Sequence, residues 1–552
     1  MRILPSGDHA LLVEVDGLDM ALGLYAHLRR VMRTDPVFGA AVDSLVPAAS
    51  TVLVTYDPLV LPRSGVESVI GAWDGSASRA SGGRRIRIPV AYDGEDLEDV
   101  ADILGMSTQE VVSRHSGTPW TAAFVGFAPG FAYLTGGDPA FDVPRRDTPR
   151  LHVPAGAVGL AGAYSGVYPR DSSGGWRLIG VTDVPLWDET ADPPALIRPG
   201  DVVEFVPVHA RAAMTQVGAA PADPYAVPVA PPEADEGSTG EDASAGLRVV
   251  SPGMAALIED DGRLAADMGV TGSGAADRAA FHTANSLVGN PVSAPVLEIT
   301  GGGAAFTAAG DVVVAVTGAR APLTIRSAEG IVESVHDQRP VLLLDGETLR
   351  IGALDEGWRD YVALRGGIRV RRVLGSASTD TMSGIGPRPL VIGDVVASSD
   401  EPTATVGRPL PWSALPAVGG VTDLGIIPGP RDDWFTPDSQ KAFLSSVWTV
   451  TVRSNRVGLR LDGGSPLVRV RTGELKSEGT VPGAVEIPSD GMPVLFLRDQ
   501  PVTGGYPVVA VLDRRSLSIA GQLPPGARVR FRLIDAMANA TDDADETTGV
   551  RR

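Results

Sequence analysis

A skeleton that occurs twice in one chain limits the folds open to it more than any single motif. Val153-Pro154-Ala155-Gly156-Ala157-Val158-Gly159-Leu160 opens a segment that passes an aromatic Gly/Pro turn and closes with Arg198-Pro199-Gly200-Asp201-Val202-Val203-Glu204-Phe205. Val481-Pro482-Gly483-Ala484-Val485-Glu486-Ile487 opens a second, which passes Thr503-Gly504-Gly505-Tyr506-Pro507 and closes with Pro524-Pro525-Gly526-Ala527-Arg528-Val529-Arg530-Phe531. Pro154 and Pro199 lie 45 residues apart, Pro482 and Pro525 43. Landmarks in one order at nearly one spacing denote a single β-rich unit used twice. The chain therefore reads as two related halves.

A chain of 552 residues exceeds one core and suggests about three to five domains. With 66 Gly and 45 Pro punctuating short apolar runs, it reads as mainly β with α+β parts. The net charge of −20 argues against nucleic acid as a partner, because phosphate binding needs a basic face. The absence of cysteine removes disulfides, thiolate nucleophiles and Cys-based metal sites. No basic-then-apolar leader and no apolar run near 18 residues is visible, so the expectation is a cytoplasmic protein without membrane contact. The lysines are Lys441 and Lys476, and neither sits in a Walker A loop or a biotin-carrier turn.

Periodicity divides the chain further. Residues 1–80 read as a small α+β domain, with strands over Ala10–Val15 and Thr51–Tyr56 and a helix over Met20–Met32. Ser76–Gly83 reads as a linker and 84–208 as the rest of the first half, containing helices over Leu97–Gly105 and Ser107–His115. Ser107 with Glu110 has capping-box spacing. An acidic linker at 209–246 precedes the second half, whose first domain covers 247–410 and whose repeat domain covers 421–534; 535–552 reads as a disordered tail. Asp277 caps a helix that puts Phe281, Ala284, Leu287 and Val288 on one face.

Several clusters could carry chemistry. Arg145, Arg150 and His152 stand beside the broken apolar run Phe124–Leu134 and Gly174-Gly175-Trp176. Arginine forks bind carboxylates in two-point geometry and histidine exchanges protons near neutral pH; equally, Arg150 and His152 could alternate on an exposed strand face. No second His or carboxylate stands at ligand spacing, so no metal site is expected. Gly272-Ser273-Gly274 is either a weak anion loop or a plain helix start. The strongest cluster is Glu474-Leu475-Lys476-Ser477-Glu478-Gly479-Thr480, preceded by Ser454-Asn455-Arg456. A lysine held between carboxylates beside a Gly/Pro break can stabilise an oxyanion or move a proton; the alternative is a solvated charged turn.

Gly126-Phe127-Ala128-Pro129-Gly130-Phe131-Ala132-Tyr133-Leu134, with Pro149–Gly156, Gly174-Gly175-Trp176 and Leu178-Ile179-Gly180, resembles the family called allophanate hydrolase subunit 1, which is also the B-type component of bacterial 5-oxoprolinase. The second half is similar to the matching family, allophanate hydrolase subunit 2 or the C-type component of 5-oxoprolinase. That likeness runs through Asp277, Ala284-Asn285-Ser286-Leu287-Val288-Gly289-Asn290, Leu297-Glu298, Leu374–Asp380, Ser454–Gly458, Lys476-Ser477-Glu478-Gly479 and Thr503–Pro507. Ser383–Arg388 departs from the family's Gly-Gly-x-x-Gly-Arg run, and Ser165–Pro169 from its Thr-Gly-Ile-Tyr-Pro run.

The resemblance implies cyclophilin-like β-barrels in both halves, as in the carboxyltransferase region of urea carboxylase. It further implies a component of an ATP-dependent 5-oxoprolinase that opens the lactam of 5-oxoproline to glutamate, using ATP with Mg and a separate lactam-utilisation family protein, in an oligomer. In that reading Lys476, His152 and Glu478 are catalytic. Arg150, Arg145, Tyr133, Trp176, Arg456, Asn455, Asp277, Asn285, Thr503 and Tyr506 bind a small anionic amide. The alternatives are a carboxyltransferase component that takes its carboxyl from biotin on a separate carrier, and a regulatory pair of kinase inhibitor and antagonist.

Overall fold

The computed structural model describes residues 1–76, 83–146, 148, 150–208, 245–399, 401, 403–408, 415–416, 419–471, 473 and 475–534. Nearly all of the expected linkers at 76–83 and 209–246, and the whole tail at 535–552, lie outside the described residues. The protein is mainly β, with two related barrel-like sheets.

Thr51–Tyr56 sits inside an antiparallel sheet ordered Arg2–Pro5, Ala10–Glu14, Thr51–Tyr56, Val42–Pro47. Helices Leu18–Thr34 and Arg63–Gly71 cover one face, placing Leu24, Leu28, Val66 and Ile70 over Leu11, Val13, Val52 and Val54. The other face, Ala10, Leu12, Val46 and Leu53, packs on Val481, Ala484, Phe496 and Val511 of the second half. A strand covered on both sides reads as a run of β-branched and apolar residues without polar alternation, as Val52-Leu53-Val54 does here.

The two barrels share one strand plan. In the first, the order is Arg177–Val181, Ala157–Ala161, Tyr164–Val167, Ala132–Thr135, Trp120–Val125, Val202–Pro207, Arg85–Val90. In the second, Val508–Leu512, Ala484–Glu486, Val494–Phe496, Gly458–Asp462, Trp448–Val450, Arg528–Leu533 and Val421–Pro428 follow the same order. Both contain a single parallel pair, at the same place. The second closes through Ile426–Pro428 on Ala510–Leu512, and the first is nearly closed by the Ala91–Val181 bridge.

The repetition extends to the cores. Trp120 and Trp448 are fully buried, and each indole N–H donates to the carbonyl five residues earlier, His115 at 3.0 Å and Phe443 at 3.1 Å. His115 stacks on Phe205 as Phe443 stacks on Phe531, both at 4.5 Å between centroids. One barrel thus carries a histidine where its sister carries a phenylalanine. Tyr92 Oη and Ser165 Oγ stand 2.8 and 2.9 Å from the two ring nitrogens of His115.

The broken apolar run at 124–134 is two strands joined by a tight turn, in which Phe127 has φ 65° and Gly130 φ 77°. A side chain at Gly130 would begin 2.9 Å from the Leu186 carbonyl oxygen, so glycine is required there. Ser107 caps Thr108–Gly117 as expected, accepting from Glu110 N at 3.2 Å, but the Glu110 side chain turns to Arg114 instead of closing the capping box. Residues 246–399 form a six-stranded and a five-stranded sheet around Leu247, Phe306, Val314, Leu349 and Val362. Among the described residues no helix is long and apolar enough to cross a membrane.

Burial pushes the His115 imidazole down to about 3. The unfolded chain takes up that proton below about pH 6.5 while the fold refuses it, so stability falls as pH drops through this window. We predict that His115→Phe flattens this part of the acid slope in thermal denaturation. A slope matching the wild type would contradict the assignment.

Candidate active site at the seam between the barrels

The turn at 126–131 is shaped by what it meets. A methyl group on Gly126 would lie 2.5 Å from Thr503 Oγ1, and one on Gly269 would lie 3.0 Å from Ala128 O. Gly130 N donates to Met268 O at 3.4 Å. Only glycines allow the two halves to come this close. Next along the chain, the buried Tyr133 hydroxyl lies near Ser477; burial raises the phenol, while the Arg145 charge and the neighbouring Ser477 pull it back. The Tyr133 ring is walled by Phe124, Phe131 and Trp176, at 4.5, 5.1 and 5.5 Å. Gly126 of the first half thus meets Thr503 of the second, and Tyr133, walled by Trp176 and near Arg145, lies close to Ser477.

Lys476 precedes Ser477 and lines a cavity of about 470 Å³ together with Arg2, Glu14, Arg431, Trp434, Arg471 and Glu478. The acids in this wall are engaged: Glu14 binds Arg2 at 3.0 Å and Arg431 at 2.8 Å, and Glu478 is gripped by Arg431. Lys476 is exposed, and no described carboxylate pairs with it. A free ammonium at the edge of a roomy cavity can receive an anion or a developing oxyanion.

Glu478 itself is a structural anchor. Burial raises its carboxyl above the usual range, against the pull of the two-point Arg431 fork. The same device holds the first half with its charges exchanged. Asp96 N bonds Leu178 O at 2.9 Å and Arg431 N bonds Val508 O at 3.0 Å, so the two residues occupy one place in the repeat. Asp96 holds Arg150 at 2.8 Å where Arg431 holds Glu478 at 2.9 Å. Each pair ties a two-stranded hairpin to its barrel: Arg150–Val153 with Ser172–Gly174, and Glu478–Gly479 with Thr503–Gly504.

The remaining sequence candidates lie away from the seam. His152 is on the outer hairpin, 68% exposed in its side chain and 3.3 Å from Asp171, so the strand-face alternative describes it. Arg150 is committed to Asp96 and Glu95. Arg456 is buried among Asp499, Glu259, Glu298 and the Gly274 carbonyl, joining the second barrel to the 246–399 sheets instead of facing a ligand. Asp277 caps its helix and accepts from Gln522 Nε2 at 3.0 Å, and Asn285 donates to the carbonyls of Val292 and Ala294. Asn455 caps the turn at 455–458, and Tyr506 stands on an outer rim, 45% exposed. Sequence reasoning missed Arg431 and Glu14, which carry no local signal, and underused Ser477, which alternation puts opposite Lys476 and Glu478.

By sequence, both halves of this two-barrel chain fall in the carboxyltransferase-domain class. Residues 268–533 match the family model described as carboxyltransferase domain, subdomain A and B, and residues 1–197 match carboxyltransferase domain, subdomain C and D. The chain belongs to the family that includes the B-type and C-type components of 5-oxoprolinase. It is 33% identical to the C-type component of 5-oxoprolinase from Escherichia coli K12 over 293 residues, 52% of this chain and 90% of that protein. It is 40% identical to the B-type component from Escherichia coli O157:H7 over 169 residues, 30% of this chain and 78% of that one. Urea amidolyase of Saccharomyces cerevisiae is 33% identical over 306 residues, 52% of this chain but 16% of the yeast protein. Among solved structures, TTHA0988 superposes with a TM-score of 0.79 at 33% identity, covering 95% of this chain and 99% of that one.

We predict that Arg431→Ala, which strands a buried carboxylate, costs about 3–5 kcal/mol of stability, and Arg456→Ala a similar amount. His152→Ala should stay within about 0.5 kcal/mol of wild type. Chemical denaturation of the three variants checks this ordering.

Proposed function

We propose that this chain is a fused B-and-C-type component of an ATP-dependent 5-oxoprolinase, which opens the lactam of 5-oxoproline to glutamate together with a lactam-utilisation family protein. The observation that carries the reading is the seam: sequences similar to both components lie on one chain, and their motif residues converge on Tyr133, Ser477, Lys476 and Thr503. Lactam opening puts negative charge on the carbonyl oxygen, and the Lys476 ammonium is the group free to meet it. Arg145, exposed and close enough to Tyr133 for its charge to be felt there, is the candidate for the substrate carboxylate. Arg150 and Arg456 do not enter this proposal, because carboxylates of the chain itself already occupy them.

The described residues do not fit ATP with Mg at the one loop that suggested an anion. At Gly272-Ser273-Gly274 the Ser273 hydroxyl is committed to Thr379 O at 3.0 Å and Asp499 at 2.8 Å, and that carboxylate would repel phosphate. No step of the proposal is routed through the nucleotide.

A second reading, a biotin-dependent carboxyltransferase component, is favoured by the family descriptions and by the likeness to the urea amidolyase structure from K. lactis, TM-score 0.50 at 28% identity over 55% of this chain and 20% of that one. Biotin would arrive on a separate carrier.

The test is glutamate release from 5-oxoproline and ATP by the chain assembled with its lactam-utilisation partner. Turnover is expected, and Lys476→Ala should lower kcat about 10²–10³-fold without changing the melting temperature. No glutamate from the full complex would overturn the reading, and capture of a biotinylated carrier would favour the second.

A further inference from the structure

Glu486 stands in the second barrel where the first has Gly159. Both strands carry the same bulge: Gly159 pairs with Leu178 and Val158 with Gly180, as Glu486 pairs with Val508 and Val485 with Ala510. In the first barrel the buried Trp176 occupies the space beside this strand, its Cβ 3.2 Å from where a methyl on Gly159 would be. Tyr506 precedes Val508 by two residues as Trp176 precedes Leu178, yet its ring turns outward beneath the Arg469 guanidinium, 5.9 Å away. The Glu486 carboxyl lies under the glycine hairpin instead. It is 4% exposed, and its Oε1 has no hydrogen-bond partner and lies 2.0 Å from where a methyl on Gly504 would sit.

A buried carboxyl without a full set of partners costs stability, and the sister barrel shows that the fold can do without one. Such a cost, retained directly beneath the Thr503–Gly504 strand that pairs with Glu478–Gly479, marks a functional group. We propose that Glu486 is a positioning residue that seats the Thr503–Tyr506 hairpin against the strand Glu478–Gly479 and the segment Lys476-Ser477 leading into it. The two move as one piece, because Glu478 pairs with Gly504 and Gly479 with Thr503. Glu486 touches no substrate and acts through Thr503 and Lys476. The charged and polar groups facing it are the Arg469 guanidinium, the Glu478 carboxylate and the Tyr506 backbone amide. Burial pushes its carboxyl up to about 8; Glu478 adds to the rise, and Arg469 and the Tyr506 amide oppose it. Ionisation would place a second negative charge beside Glu478 and loosen the hairpin.

The importance of this hairpin rests on the reading of the seam as the active site, but the primary test does not use turnover. Hydrogen exchange is followed by mass spectrometry in the full chain for peptides covering 476–480 and 502–507. At about pH 4 wild type and Glu486→Gln should be equally protected, and by about pH 9 the wild type alone should have lost protection. Equal protection at both pH values would overturn the proposal. Thermal denaturation supplies the second readout. The unfolded carboxyl ionises above about pH 4.5 and the folded one only near 8, so wild type should lose stability relative to Glu486→Gln across that window. A pH-independent difference would count against a neutral acid. In the active complex, Glu486→Gln should retain at alkaline pH the turnover that the wild type loses. Loss at every pH would instead require a proton from Glu486 and overturn a purely positioning role. A complex with no turnover at all would sink the 5-oxoprolinase reading while the exchange experiment still judges Glu486.

Discussion

Everything placed at the candidate site depends on the close approach of Gly126 to Thr503. The methyl group that any other residue would bring to position 126 would lie inside van der Waals contact with the threonine side chain. The seam closes because the first barrel's turn presents bare backbone to the second barrel's hairpin. On the same side of the second barrel Tyr133 lies near Ser477, and the adjacent Lys476 lines a cavity. The N-terminal sheet completes the arrangement by packing Leu53 against Gly479 and sending Glu14 to Arg431.

Duplication supplied the scaffold, and divergence at equivalent positions supplied the chemistry. Strand order, the bulge beside the opening strand, the buried tryptophan and the hairpin anchor all recur. Against that constant background, three exchanges separate the barrels: His115 for Phe443, the Asp96–Arg150 pair for Arg431–Glu478, and Gly159 with buried Trp176 for Glu486 with outward Tyr506. The first barrel contributes an aromatic wall to the seam, and the second contributes the lysine, serine and carboxyls. The asymmetry explains why similarity to both component types on one chain is compatible with one shared site.

Much of the architecture was legible because it is locally encoded. The repeated segment predicted a β-rich unit used twice, which the family resemblance made a pair of barrels; the β-branched run at 51–56 predicted its strand, and Ser107 and Asp277 cap helices by local hydrogen bonds. The candidate site draws on short motifs of the sequence at Tyr133, Lys476 and Thr503. Arg456, Asp277 and Asn285 looked functional because they are polar residues in distinctive motifs. Their true partners, such as Asp499 for Arg456 and Gln522 for Asp277, are remote in sequence, so a buried structural ion or cap cannot be told there from a ligand group. Arg150 and His152 alternate along one strand, and only the hairpin geometry shows that the first turns toward its anchor and the second to solvent. Glu486 becomes visible only when the two barrels are compared position by position.

The seam can be tested without substrate, because the chain contains no cysteine. In the double variant Gly126→Cys/Thr503→Cys the two Cβ atoms would stand 3.3 Å apart, close to the roughly 3.5–4.5 Å that a disulfide spans. Mild oxidation followed by peptide mass spectrometry should recover the segments around 126 and 503 joined by one disulfide, with no free thiol left. Two fully titratable thiols after oxidation of the folded protein would contradict the seam and the site built on it.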